Sequence, residues 1–241
     1  MITKIPLEDF LIIDIETVSE QPNLNSLSQT WQKLWQEKVE RSLPENVSIE
    51  EYYPQRAGVM AEFAKVVCIS LGYFKKEKDQ YQLRVKSIYN IDEKELLKTF
   101  IQTVDQLAAN HNQWSFTGHN IKEFDVPFLC RRLLINGLSI PLYLDFQNMK
   151  PWETNMVDTF QYWRFGDYKN YTSLKLLAAA LNVPSPKDDI DGSMVGDVYW
   201  KENNIERIAT YCQKDIVTVA NIVCRFKNLP LLGEAQIVFV K

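Results

Sequence analysis

Blocks of hydrophobic and polar positions along the 241-residue chain predict that sheet strands come first and that helices alternate with strands afterwards. Residues 9–17 form an apolar run of the kind found in buried strands. The runs at 65–74 and 81–90 are rich in β-branched and aromatic residues, and the charged turn KKEKDQ between them predicts a hairpin. The shorter runs SFTGHN and MVDTFQYW predict two further strands.

Four other segments carry apolar residues at the spacing of one helical face. They predict helices over about 92–109, over FLCRRLLINGL as far as Gly137, over SLKLLAAALNV as far as Pro184, and over IERIATYCQKDIVTVANIVCRF. Glycine and proline commonly follow the end of a helix. A hairpin followed by alternating helices and strands predicts an α/β fold, with a central mixed sheet of about five strands flanked by helices.

Residues 19–57 interrupt this pattern with a polar segment after the first strand. Within it, TWQKLWQEKVERSL places Trp31, Leu34, Trp35 and Val39 at helical spacing, so we predict one helix that packs on the domain. The sequence contains no internal repeat, low-complexity tract or linker. We therefore expect residues 1–241 to form a single domain with a helical insertion at about 19–57.

The composition is that of an ordinary globular protein, with 46% hydrophobic and 24% charged residues. No apolar run approaches the roughly 18 residues that a membrane helix needs, and the N-terminus lacks the features of a secretory signal. We therefore expect a cytoplasmic protein without membrane association. The four cysteines are widely spaced in apolar segments, which favours core positions over a zinc site or disulfides.

The net charge of −4 and the isoelectric point near 5.4 argue against a broad electrostatic surface for nucleic acid. They leave open an enzyme that holds a polynucleotide end in a small site containing metal ions.

The first predicted strand carries two carboxylates, Asp14 and Glu16, inside the otherwise apolar run LIIDIETV. Successive strand residues point to opposite faces, so these two side chains project from the same face. Two like charges on a buried strand are unfavourable, and an unpaired buried carboxylate raises its pKa until it is neutral. The pair therefore requires a positive partner, which is either a basic side chain or a divalent metal ion.

Two more acids have positions that allow them to join this pair. Asp215 lies four residues after Tyr211 on the last predicted helix, beside its apolar stripe, where a structural Tyr–Asp contact is the simpler interpretation. Asp125 precedes Pro127 at the start of another predicted helix, where aspartate is a good N-cap. If the strand before it lies beside the first strand, Asp125 instead reaches the sheet edge at which Asp14 and Glu16 emerge.

Taken in order, the motifs DIET, NIKEFD and YCQKD resemble those of the DEDD superfamily of 3′–5′ exonucleases. The chain is most similar to the proofreading exonuclease of family B DNA polymerases, and within that group to the stand-alone PolB-like 3′–5′ exonucleases. Tyr211 indicates the tyrosine (DEDDy) branch, since the histidine branch carries histidine at the position of Thr210. The resemblance extends from residue 14 to residue 215 and implies a ribonuclease H-like fold.

The resemblance also implies the chemistry of the site. Asp14, Glu16, Asp125 and Asp215 would bind two divalent metal ions, Mg²⁺ or Mn²⁺, and Tyr211 would orient the attacking water. Orientation suits a phenol with an ordinary pKa of about 10 better than proton abstraction does. Residues implied to contact substrate are Thr17, Asn120, Phe124, Ser173, Leu174 and Lys187. For Ser173 and Lys187, a helix start and a surface lysine are the alternative interpretations.

The implied substrate is a nucleic acid with a free 3′ end, which we expect to be single-stranded DNA. Three alternatives stay open at this point. The enzyme acts on RNA instead, or the chain is a nucleic-acid-binding module that no longer cleaves, or it is an endonuclease of the ribonuclease H type. The Tyr-x-x-x-Asp spacing on the last helix speaks against the third alternative.

Overall fold

A computed structural model of the protein describes residues 2–78, 80–111, 113–147, 149–150, 153–184 and 190–240. These residues form one six-stranded sheet with the order β5-β4-β1-β2-β3-β6. Strand β2 runs antiparallel to β1 and β3, and the other neighbouring pairs are parallel. The strands are β1 Phe10–Ser19, β2 Ala64–Glu77, β3 Gln80–Tyr89, β4 Ser115–Gly118, β5 Met156–Asp158 and β6 Ile237–Val240.

The prediction of a mixed α/β sheet flanked by helices is confirmed, but the predicted number of five strands is wrong. The sixth strand, β6, pairs with β3 at the edge of the sheet, where Ile237 lies opposite Leu83. Its sequence of four apolar residues is too short to show a period. The strand predicted over MVDTFQYW is also shorter than expected, because the side chain of Asp158 accepts hydrogen bonds from Phe160 N and Gln161 N and starts a helix there.

Eight α-helices are present among the described residues. The final helix has the predicted bounds, whereas residues 19–57 contain two helices rather than one. The helices are α1 Gln29–Val39, α2 Ile49–Arg56, α3 Glu93–Asn110, α4 Asp125–Ile135, α5 Thr159–Arg164, α6 Leu174–Ala180, α7 Val195–Trp200 and α8 Ile205–Phe226.

The predicted packing of α1 on the rest of the chain is confirmed for one side of the helix. Trp35 and Val39 are buried, and the indole of Trp35 lies 5.2 Å from the ring of Phe63, just before β2. Trp31 and Leu34 are exposed instead. Helix α2 begins with a capping box between Ser48 and Glu51, a pattern that the sequence analysis overlooked.

Strand β1 is covered on both faces, which explains why its sequence is an almost continuous apolar run. Leu11, Ile13 and Ile15 face a core formed with α3 and α4. Phe10 and Ile12 face a second core, formed with the apolar side of α8. Since Asp14 and Glu16 follow Ile12 at intervals of two residues, they also project toward α8.

Helix α8 packs closely on the sheet at a point where β2 carries glycine beneath it. A Cβ atom at Gly72 would collide with the side chain of Ile216 on α8. On the neighbouring strand, the register between β1 and β2 shifts between Glu16 and Thr17. Such a bulge increases the local twist and redirects side chains, and bulges are common beside active sites.

Cys68, Cys212 and Cys224 are buried, as predicted, and Cys130 is half-buried. No helix in the described part of the chain has both the length and the apolarity required to cross a membrane.

Candidate active site

Three elements bring the four predicted acids together beside the middle of β1. Asp14 and Glu16 lie on β1, Asp125 is the first residue of α4, and Asp215 lies in the middle of α8. Strand β4 pairs in parallel with residues 10–12 of β1, which places the connection from β4 to α4 beside the residues of β1 that follow. The three motifs, separated by about 200 residues of sequence, therefore converge because of the sheet order.

The four acids lie close enough for their charges to affect one another's pKa. Burial raises the pKa of Asp14 well above its usual value, and the charges of Asp215 and Asp125 raise the pKa further. Burial likewise raises the pKa of Glu16, followed by the charges of Asp14 and Asp215. Glu16 is almost fully buried, whereas Asp14 remains partly exposed.

Asp125 is held by the backbone of β1. Its Oδ1 accepts a hydrogen bond of 3.1 Å from Ile15 N, the amide between Asp14 and Glu16. Burial raises the pKa of Asp125 to about 7, although this bond and one from its own amide act in the opposite direction. The N-cap interpretation is wrong, because Phe124 occupies the cap position and Asp125 is the first helical residue.

Cys212 lies beside Asp14, which the sequence analysis did not anticipate. Its thiol donates a hydrogen bond of 3.1 Å to Oδ2 of Asp14. Tyr211 precedes it and packs against a cluster that includes Val18 and Cys68. Asp215 lies one helical turn after Tyr211. No sequence pattern separates a core cysteine from one that contacts a carboxylate, because both occupy an apolar stripe.

Asp158 is a further buried carboxylate that the sequence analysis missed. Its Oδ1 accepts from Asn120 N at 3.0 Å and its Oδ2 accepts from Lys122 N at 3.1 Å. The same side chain starts α5 through Phe160 N and Gln161 N. Asp158 therefore joins the β4–α4 connection, which carries Asp125, to the start of α5. Its place just before a short helix is the one available signal in the sequence.

The residues expected to contact substrate have different surroundings. Thr17 donates to Gly58 O at 2.6 Å, and Oδ1 of Asn120 is buried without a partner among the described atoms. The ring of Phe124 lies 5.4 Å from that of Phe128. Ser173 is the N-cap of α6, which is the alternative interpretation of its motif. Leu174 packs among apolar residues near α8, and Lys187 lies outside the described residues.

The chemistry of the carboxylates fits divalent metal ions. Oxygen atoms of Asp14 and Glu16 and the sulfur of Cys212 lie within 4.8 Å of one another. Lysine and arginine side chains in the described ranges form no ion pair with Asp14, Glu16 or Asp125. The main charges that act on the first two acids are negative, so a cation is the favourable occupant. Carboxylate oxygens are preferred ligands of Mg²⁺ and Mn²⁺.

Comparison with solved structures defines the class of fold. This chain is similar in structure to part of the family B DNA polymerase from the hyperthermophilic archaeon Pyrobaculum calidifontis, with a TM-score of 0.52 and 18% sequence identity. The similarity covers 92% of this chain but 24% of the polymerase chain. The expected ribonuclease H-like α/β fold, with a central sheet flanked by helices, is therefore confirmed. A search of curated proteins gave no match.

A family model identifies the group within this class. Residues 59–231 match the family described as a predicted 3′–5′ exonuclease related to the exonuclease domain of PolB, and the chain belongs to this family. The match includes Asp125, Tyr211 and Asp215, while Asp14 and Glu16 lie before it. The family is one of exonucleases, which confirms the predicted enzyme class and implies a nucleic acid substrate.

Proposed function

We propose that the protein is a metal-dependent exonuclease that removes nucleotides from the 3′ end of single-stranded DNA by hydrolysis of the phosphodiester bond. One observation carries the proposal, which is that four carboxylates from three elements converge at one site where their charges oppose one another. Such a site is unfavourable for folding without a cation. Membership of an exonuclease family supports a catalytic role for these acids.

Asp14, Glu16, Asp125 and Asp215 would hold two Mg²⁺ or Mn²⁺ ions. Such ions lower the pKa of a bound water and stabilise the oxygens of an in-line displacement at phosphorus. Glu16 is positioned by burial, and Asp125 by burial and by its hydrogen bond from the Ile15 amide, so both carboxylates are held in place before substrate arrives. This preorganisation supports assignment of both residues to the ligand set.

Tyr211 would orient the attacking water. It lies one turn before Asp215 on α8, so its side chain is on the same side of the helix as that acid. The hydroxyl of a tyrosine can both donate and accept a hydrogen bond, as orientation of a water requires.

Thr17, Asn120 and Phe124 would contact the terminal nucleotides, with Phe124 as a stacking surface. The position of Asn120 in the connection from β4 to α4, which leads to Asp125, supports its assignment. Ser173, Leu174 and Lys187 complete the proposed substrate contacts. Residues 1–241 would act as a single domain in the cytoplasm, with 19–57 as its helical insertion.

The proposal is tested with 5′-labelled single-stranded DNA and RNA of the same sequence. The purified protein is incubated with Mg²⁺, Mn²⁺ or EDTA, beside an Asp14→Ala variant and an Asp197→Asn control on α7, where the carboxylate is exposed. We expect a ladder that shortens from the 3′ end, requires metal, and is lost in Asp14→Ala while it persists in Asp197→Asn.

Other outcomes separate the remaining candidates. Degradation of RNA in preference to DNA would assign the same site to an RNA exonuclease. Internal fragments instead of a ladder would indicate an endonuclease. Binding of either strand without hydrolysis under any metal would contradict the proposal and support a binding module.

A further inference from the structure

The segment between α5 and α6 presents aromatic side chains to solvent in place of burying them. Among the residues of this aromatic loop, 165–172, Phe165 is 82% exposed, Tyr168 is 78% exposed and Tyr171 is 64% exposed. Lys169 lies within the loop and Lys175 follows it, both also exposed. An ordinary surface loop has no structural use for three exposed aromatic residues interleaved with lysines within eleven positions. Exposed rings do not contribute the stabilising free energy that buried rings provide.

The loop is attached to the site. Arg164, at its start, donates a 3.0 Å hydrogen bond to Glu123, two residues before Asp125. At its end, the carbonyl of Thr172 lies 2.8 Å from Nε2 of His119, which follows β4. The negative charge of Asp125 contributes to the raised pKa of Tyr171, after burial. Both ends of the aromatic loop are thus anchored to the connection that carries Asp125.

The rings stand in defined positions. The ring of Tyr171 packs edge-on against Phe160 at 4.9 Å, and the guanidinium of Arg164 lies 4.0 Å from the ring of Phe160 and 5.6 Å from the ring of Tyr168. Phe160 is buried and forms the base of this arrangement, whereas the rings of Tyr168 and Tyr171 remain largely exposed.

Phe165 has a backbone conformation that is unfavourable for a residue with a side chain. It occupies the position after α5 with φ of 45° and ψ of 34°, the left-handed conformation in which glycine is usual. A bulky side chain there is strained. Its ring lies 5.8 Å from the ring of Tyr162 but remains 82% exposed, so packing contributes little to offset this strain.

We propose that the aromatic loop is a binding surface for single-stranded nucleic acid, on which unpaired bases stack while Lys169 and Lys175 contact the phosphates. Stacking on aromatic rings requires no particular base, since each base offers a face, and it selects single strands because paired bases are already stacked. This inference rests on the proposed exonuclease function and extends it by assigning the nucleotides that lie behind the 3′ end to residues 165–175.

Direct binding tests the proposal without hydrolysis. Fluorescence anisotropy measures the affinity of a phosphorothioate-linked oligothymidylate in Mg²⁺ for the wild type and for Tyr168→Ala and Tyr171→Ala. We expect Kd to rise on the order of 5- to 100-fold for each alanine variant. The matched Tyr→Phe variants should retain affinity, because they keep the ring. Phe239→Ala, which removes an exposed ring on β6 at the opposite edge of the sheet, should leave Kd unchanged.

Phe165→Gly separates a binding role of Phe165 from a structural role. If the ring stabilised the fold, this substitution would lower the melting temperature. It should leave the melting temperature unchanged or raised, because glycine relieves the left-handed strain, and it should weaken binding of the oligonucleotide. Lys169→Gln and Lys175→Gln should each reduce the slope of log K against log salt by about 0.7.

Equal affinities for the wild type and both alanine variants would overturn the loop assignment, and so would an equal loss in Phe239→Ala. Neither result would contradict the proposed exonuclease function, which the ladder assay measures separately. If the wild type shortens labelled strands but alanine variants bind as it does, the loop assignment alone fails. If the wild type neither binds nor cleaves, both proposals fail.

Discussion

Among single residues, the main feature is a set of buried and partly buried carboxylates. Glu16 and Asp125 are buried, and the charges around Asp14 raise its pKa further. Each ionised group in such surroundings lowers the stability of the folded chain, because the unfolded chain solvates the same charge freely. A divalent cation would reverse the sign of this effect, so the proposed metal site would couple folding to metal binding.

This coupling predicts a pH dependence in the absence of metal. The pKa of Asp125 rises from 3.8 to about 7 on folding, so between these values the folded protein binds more protons than the unfolded chain. The contribution of Asp125 to the free energy of unfolding is therefore fully present at low pH and is lost as the pH rises toward 7. In EDTA, we expect thermal unfolding to show a higher melting temperature at pH 6 than at pH 8.

Asp125→Asn is the matched variant, since its carbonyl oxygen can still accept from Ile15 N. In EDTA at pH 8 it should melt a few degrees above the wild type, in line with roughly 1–2 kcal/mol for a domain of this size. It should also show a weaker pH dependence. An unchanged slope between pH 6 and 8 would mean that Asp125 is not a source of this instability.

Tyr211→Phe separates orientation of the water from metal binding. Loss of the hydroxyl should lower kcat about 10- to 100-fold at saturating Mn²⁺, because a positioned proton donor or acceptor contributes on this order or more. The affinity for Mn²⁺ should stay within about twofold, measured by calorimetry. A loss of metal affinity equal to the loss of kcat would show that Tyr211 supports the carboxylates instead.

At the scale of elements, Asp158 links parts of the chain that meet around the site. It ends β5, starts α5 and holds two amides of the β4–α4 connection, all through one buried carboxylate. Three of its four bonds use Oδ1 and one uses Oδ2. The position of Asp125 therefore depends on a side chain 33 residues away, on another element.

Asp158→Ala and Asp158→Asn test this link as a pair. The alanine variant leaves four amides without their acceptor and should destabilise the fold by about 2–4 kcal/mol. The asparagine variant keeps Oδ1 and should lose less. Urea unfolding in EDTA gives both values. If the two variants lose equal stability, the bonds to Oδ1 are not the source of the effect.

At the scale of the whole molecule, Arg132 connects α3, α4 and residues near the end of β1. Its guanidinium donates to both carboxylate oxygens of Glu93, to Ala61 O and to Glu20. Glu93 also accepts from Val66 N on β2 and from Asn136. Arg132 and Glu93 are buried, whereas Glu20 is partly exposed.

Glu93→Ala should destabilise the protein by about 3–5 kcal/mol, since it leaves a buried guanidinium without its main partner. Glu20→Ala removes the exposed partner of the same arginine and should cost less than about 1 kcal/mol. Chemical denaturation of the two variants provides the comparison. Similar losses in both would place Arg132 in a more hydrated environment than its burial indicates.

The sequence predicted those parts of the fold that have a clear period or a clear chemical conflict. The hairpin, the final helix and the shared face of Asp14 and Glu16 follow from local pattern alone. The sixth strand did not, because four apolar residues acquire a strand conformation only through pairing with β3, about 150 residues earlier. The hydrogen bonds of Asp158 and the contact of Cys212 with Asp14 likewise depend on tertiary packing, which single-sequence periods do not contain.

A calorimetric titration of Mn²⁺ into metal-free protein tests most directly the claim that the carboxylates on β1, α4 and α8 hold divalent ions. The wild type should bind about two ions, Asp14→Asn should lose most of this affinity, and Asp197→Asn on the surface should bind as the wild type does. Absence of binding to the wild type, or equal binding by Asp14→Asn, would contradict the claim.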